Sequence, residues 1–142
     1  MNAKEKAGVK KASVTLSVPF HDLDPMKIVW HGNYLKYFEI ARQKLFEEIG
    51  CDLYDFHLQT GYLFPIIRTT VKHIHPLRFK DEFICEARLT DARRKVTVEF
   101  EIRLVEGGKV CARGRSEQVA VRSGDLQMEF EIPEEFRRAL GF

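Results

Sequence analysis

Residues 31–50 read HGNYLKYFEIARQKLFEEIG, and their spacing decides the fold class. Tyr34, Phe38, Ala41, Leu45 and Ile49 recur at steps of three and four, the period of one helix face. Leu35, Tyr37, Ile40 and Phe46 widen that face beyond a narrow stripe, so the helix needs cover on most of its sides. Lys36, Gln43, Lys44 and Glu47 are left for solvent. Gly50 closes the segment, because glycine takes the left-handed backbone that ends helices. A helix from about His31 to Ile49 is expected.

The cover comes from strands on both sides of it in the chain. Upstream, Val14, Leu16 and Val18 alternate within a strand expected from Val14 to Phe20. Downstream, Cys51 to Gly61 reads as a connection and Tyr62 to Pro76 as extended chain. Phe83, Cys85, Ala87 and Leu89 then alternate with polar or outward residues, and Val96, Val98, Phe100, Ile102 and Leu104 repeat the pattern. Gly107-Gly108 marks a hairpin leading into a partner strand from Val110 to Val121. Pro133-Glu134-Glu135 opens a short last helix that closes on Arg137 and Arg138. One apolar helix against a bent antiparallel sheet is an α+β solution, since a one-faced sheet must cover its apolar side.

Composition narrows the class further. The 142 residues suit a single domain, expected over 14–142, with a disordered basic tail over 1–13. A net charge of +2 is too small an excess to argue for nucleic acid. No apolar run approaches the roughly 20 residues of a membrane span, and the tail lacks a signal peptide's apolar stretch. Cys51, Cys85 and Cys111 are odd in number and show no metal-ligand spacing; Cys85 and Cys111, in alternating apolar segments, are expected to be buried free thiols, and a reducing cytoplasm is the expected compartment. His73 and His75 share one strand face, but no third ligand is evident and satisfied strand histidines are the simpler reading.

The stretch that carries chemistry is Pro19 to Glu39, PFHDLDPMKIVWHGNYLKYFE. By residue type alone, Asp24 before Pro25 reads as a turn former or cap. The combination is more specific. Phe20, Asp22, Asp24, Ile28-Val29-Trp30, His31, Asn33 and Tyr34 resemble, without a gap, the motif of the hotdog-fold thioesterases, specifically the 4-hydroxybenzoyl-CoA thioesterases and their short-chain acyl-CoA relatives. The later strands follow that family's order, so the resemblance covers nearly all of the chain after the tail.

The resemblance implies a hotdog fold of about five strands around the long helix, and hydrolysis of an acyl- or aroyl-CoA thioester to free acid and CoA. It makes Asp24 the catalytic carboxylate, as base or nucleophile, and the backbone N–H of His31 the oxyanion donor. Asp24 is read as standing just before the helix, whose free amides would make an anion site. Asp22 is expected to be a structural hydrogen-bonder and Asn33 to fix the loop. His31 is either a pocket residue or a partly buried histidine, and Tyr34 is core. Glu39, two turns into the helix, is where a second branch of hotdog enzymes carries its acid, and is expected as a supporting polar contact. Trp30, Tyr62 and Phe64 are candidates to line the acyl pocket. Arg93-Arg94-Lys95 matches a turn that contacts the nucleotide end of CoA in that family, whereas by itself it is a solvated basic turn.

No cofactor or metal is expected. The rivals are hydrolysis of acyl carrier protein thioesters, a dehydratase or hydratase using His31 with Asp24, and a non-catalytic acyl-thioester-binding protein. The resemblance also implies a homodimer or homotetramer with an active site between subunits.

Overall fold

The computed structural model describes residues 10–142. The first nine residues of the expected tail lie outside the described residues. Residues 11–13, also counted with that tail, belong instead to the first strand, β1 (Lys11–Ser17). This strand ends before Phe20, earlier than expected, because Phe20–Asp22 coils into one 3-10 turn. The long helix, α1 (Asn33–Ile49), starts two residues later than its periodicity suggests and ends as expected, with Gly50 at φ 82°. Cys51 to Gly61 is more than a connection. It contains helix α2 (Leu53–Thr60), whose first turn is capped by Asp52 Oδ1 accepting the Tyr54 and Asp55 amides at 2.8 and 3.0 Å.

The remaining elements are β2 (Tyr62–Leu63), β3 (Ile66–His73), β4 (Glu82–Asp91), β5 (Val96–Leu104), β6 (Val110–Gln118), β7 (Val121–Arg122) and α3 (Glu134–Ala139). The expected strand from Val110 to Val121 breaks after Gln118, because Val121 and Arg122 pair with β2 instead. Five strands form one antiparallel sheet in the order β1-β4-β5-β6-β3. Phe83, Cys85, Ala87 and Leu89 of β4 are buried, as are Val96, Val98, Phe100 and Ile102 of β5, so the alternation read from sequence is the inner face of this sheet.

Helix α1 lies across that face, against β1 and β4, with the Phe38 ring stacked on Phe100 at 4.4 Å. Gly114 of β6 makes this approach possible. A Cβ there would collide with the Phe38 ring and stand 3.1 Å from the Thr70 carbonyl. The helix leaves β3 uncovered, where Ile66 and Ile67 are 44% and 51% exposed. The outer face of the sheet is charged, with ion pairs such as Arg88–Glu99 and Arg113–Glu101 bridging neighbouring strands. No helix among the described residues is long and apolar enough to cross a membrane.

The three cysteines are free thiols. Burial pushes Cys85 up to about 12 and Cys51 up to about 11, so both stay protonated and unreactive near neutral pH.

The Phe38 ring is 1% exposed and held against Phe100, so it has no room to yield to a larger residue at 114. Gly114→Ala is therefore expected to cost about 1–3 kcal/mol by overpacking. Urea denaturation measures it, and an unchanged midpoint would contradict the packing described.

Candidate active site

The loop from Pro19 to Gly32 is built around Asp22. Its side chain is buried and accepts hydrogen bonds from Lys36 Nζ at 2.7 Å and the Tyr37 hydroxyl at 2.6 Å. Its backbone carbonyl accepts the Trp30 amide and Asn33 Nδ2, each at 2.9 Å. Burial would push the Asp22 carboxyl up, but the Lys36 and Tyr37 hydrogen bonds, with the Lys36 and His21 charges, outweigh it and hold the group below its ordinary value. The Tyr37 hydroxyl is raised, by burial and then by donating to Asp22. The structural roles expected of Asp22 and Asn33 thus appear in one network.

Asp24 sits in a tight reversal. Its amide donates to the Ile28 carbonyl at 2.8 Å and its carbonyl accepts the Lys27 amide at 2.9 Å, with Lys27 at φ 65°. Asp24 Oδ1 accepts the Met26 amide at 2.8 Å, while Oδ2 has no protein donor among the described residues. One carboxylate oxygen shapes the turn and the other remains open. The bland reading of Asp24 as a turn former is therefore correct and does not exclude chemistry.

The loop is pinned to the sheet end by the Val29 amide donating to the Leu77 carbonyl at 2.9 Å and by a bridge between Ile28 and Arg78. This brings Asp24, His31 and Tyr34 to one cavity of about 310 Å³, whose apolar walls are Met26, Ile28, Val29, Ile74 and Pro76. His73 and His75 complete it, and the reading of them as satisfied strand histidines missed this. β3 ends at His73, so the two do not share a strand face as their spacing suggested, and His75 lies in the bend that follows. The Tyr34 and His73 rings meet edge to face at 4.6 Å, and burial raises the Tyr34 hydroxyl. Among the described residues no cluster of three side chains is arranged to hold a metal ion.

Asp24 does not stand at the start of α1, as expected. Eight residues separate it from Asn33, because the chain reverses at Lys27 and turns again at His31-Gly32. In that second turn the Asn33 amide donates to the Trp30 carbonyl and the Tyr34 amide to the His31 carbonyl. The His31 amide itself meets no backbone acceptor among the described residues. Asp24 and His31, two residues that line one cavity, could thus offer a carboxylate oxygen and a backbone amide, the two elements that acyl transfer requires.

The other expected site residues lie elsewhere. Trp30 is half exposed, and its ring covers Gly32 rather than the cavity. Glu39 pairs with Arg42, a buried guanidinium that also donates to Ser116 Oγ at 2.6 Å, and lines a separate cavity of about 390 Å³ with Lys36 and Tyr54. Arg42 was not singled out in the sequence, although an arginine on the apolar side of α1, three residues after Glu39, was its signal. Tyr62 and Phe64 join an aromatic cluster with Phe56 and Phe136, with Phe64 stacked on Phe136 at 4.6 Å. Arg93, Arg94 and Lys95 form the β4–β5 turn, at the sheet end marked by the register Val96–Gln118–Ile66. The Asp24 cavity is at the opposite end, marked by Ile102–Ala112–His73.

Comparisons with known proteins bear on the family and the fold. Residues 18–140 match the model of a protein family described as the thioesterase-like superfamily. The Synechocystis protein sll0410, provisionally named an esterase, is 26% identical over 110 residues, 76% of this chain and 65% of that protein. The match thus spans just under two thirds of that relative's length. YneP of Bacillus subtilis, provisionally named an acyl-CoA thioesterase, is 24% identical over 87% of this chain and 86% of its own. Among solved structures, 4-hydroxybenzoyl-CoA thioesterase from Pseudomonas sp. strain CBS-3 superposes with a TM-score of 0.79 at 18% identity, covering 92% of this chain and 99% of that one. At that identity the likeness establishes the fold, which is the hotdog.

Asp22→Asn removes the charge at the centre of the loop network and is expected to lower stability at neutral pH by about 1–3 kcal/mol. The folded-state value of Asp22 lies below its unfolded value of about 4, so its contribution is complete above that value and is lost as pH falls through the lowered one. Urea denaturation of both proteins from neutral pH down to about pH 3 should show the difference narrowing with acid. A difference independent of pH would mean that the charge of Asp22 is not what holds the loop.

Proposed function

The chain belongs to the thioesterase-like superfamily, and from that premise we propose that it hydrolyses acyl-CoA thioesters to the free acid and CoA, with Asp24 as the catalytic carboxylate. The observation that carries this reading is that Asp24, whose Oδ2 has no protein donor among the described residues, and His31, whose amide meets no backbone acceptor among them, line the same cavity. The thioester carbonyl oxygen accepts the His31 N–H, which stabilises the charge that develops as the carbon becomes tetrahedral. Asp24 either takes a proton from the attacking water or attacks the carbon itself, forming an anhydride that water then opens. In both routes the C–S bond breaks, a proton goes to the departing sulfur and, with the anhydride opened at its acyl carbon, a water oxygen ends on that carbon while the Asp24 carboxylate is restored. Tyr34, Ile28 and the imidazoles of His31, His73 and His75 form the acyl side of the cavity.

The site is completed by a second copy of the chain. Strand β3 is an edge of the sheet with exposed isoleucines, which invites antiparallel pairing with its own copy. Within one chain the length of β3, roughly 23 Å, separates the Arg93-Arg94-Lys95 turn from the Asp24 cavity. Two-fold pairing of β3 sets the Ile66 end of one copy beside the His73 end of the other. The basic turn of one subunit then faces the cavity of its partner and meets the CoA phosphates there. A dimer is the minimum that supplies this, and a tetramer contains it twice. The free thiols fit a reducing compartment, the cytoplasm.

The test is release of CoA thiol across aliphatic and aromatic acyl-CoAs, with sedimentation of the same preparation reporting a dimer or tetramer. Asp24→Asn, which keeps an oxygen to accept the Met26 amide, is expected to lower turnover of the best substrate at least about 100-fold with its melting temperature little changed. Near-full activity in the variant would sink the assignment of Asp24.

A further inference from the structure

The basic turn has a companion that phosphate binding alone does not explain. The Arg94 guanidinium lies over the ring of Phe130, 5.1 Å from its centroid, although Phe130 is 73% exposed. The two residues come from distant parts of the chain and are fastened together beneath the surface. The Ile132 amide donates to the Arg93 carbonyl at 2.8 Å, and Ala92 and Ile132, on either side of the pair, are buried. The Arg93 amide donates to Asp91 Oδ1 at 3.1 Å, which shapes the turn. Lys95 is held by Glu117, but among the described residues neither Arg93 nor Arg94 pairs with a carboxylate. An anchored aromatic face, backed by one free guanidinium and adjoined by another, is the pairing that a nucleotide uses: a base for the ring and phosphates for the charges.

We propose that Phe130 is the platform on which the adenine ring of CoA stacks, with Arg94 on the opposite face of the ring and Arg93 beside it for the phosphates. The proposal rests on the thioesterase reading for its purpose and deepens it by naming the carrier. The arm of an acyl carrier protein ends in phosphopantetheine and has no base, so an aromatic platform there would contribute nothing. The apolar exposure of Phe130 is thus a determinant of CoA over a protein carrier. Because the platform is fastened to the turn that two-fold pairing carries to the neighbouring cavity, one subunit grips the nucleotide while the other cleaves the thioester.

The experiment is calorimetric titration of the full chain with CoA and, separately, with phosphopantetheine, for wild type, Phe130→Ala and Phe130→Trp. The expected result is that Phe130→Ala weakens CoA binding roughly tenfold and leaves phosphopantetheine unchanged, whereas Phe130→Trp binds CoA at least as well as wild type. In turnover, the same Ala variant raises KM for an acyl-CoA at constant kcat and leaves the matching acyl-pantetheine thioester unaffected. Equal binding of CoA by wild type and Phe130→Ala overturns the proposal, as does equal loss of both ligands or no binding of CoA at all. A Phe130→Ala chain that sediments at lower mass identifies the face as a contact between copies and overturns it too. Phe130-dependent CoA binding without turnover of any thioester removes the thioesterase reading and leaves the nucleotide site standing.

Discussion

A buried carboxylate must be paired, and the pairing of Asp22 is the constraint on which the site depends. Its side chain takes Lys36 and Tyr37 from α1, and its carbonyl takes Trp30 and Asn33. Three of these contacts fasten the loop to the helix, and the fourth, from Trp30, closes the span that contains Asp24. A loop of this length without them would sample many conformations, and the open oxygen of Asp24 would have no fixed relation to the His31 amide. Asp22 reacts with nothing in this account; it is a positioning residue.

The second constraint is how little of the sheet the helix covers. The helix α1 packs against β1 and β4, and its Phe38 reaches over Phe100 of β5 where Gly114 of β6 admits it. The apolar edge at β3 is then left without a partner inside the chain. One consequence is an edge strand with exposed isoleucines, which ends at His73 beside the Asp24 cavity. The separation of the basic turn from Asp24 follows from the same topology. The assembly and the division of CoA between subunits that we propose would both follow from this helix placement.

Much of this was legible in the residues. The two-residue period of Val96–Leu104 and the three- and four-residue steps of Tyr34 to Ile49 report burial directly, and both elements stand where they were expected. Helix α2 was missed because eight residues with no buried face leave no periodic signal, although Asp52 as an N-cap and Gly61 as a terminator were both readable. The start of β1 was set too late because Lys11 and Ser13 face solvent and look like tail. The site was legible in part. A linear motif locates Asp24 and His31, but His73 and His75 reach the cavity only through the pairing of β3 with β6 and the pinning of Val29 to Leu77. Tyr62 and Phe64 were assigned to the pocket on chemistry alone, and the core claimed them instead.

What the geometry commits to is a reaction class, and the fate of one water oxygen tests it most directly. An acyl-CoA incubated with the protein in water enriched in oxygen-18, followed by mass spectrometry of the products, reads that fate without assuming an acyl preference. The account predicts free CoA and an acid carrying one solvent oxygen. A thioester that gains water across its acyl chain and stays joined to CoA, or one that is bound and returned unchanged, would contradict it.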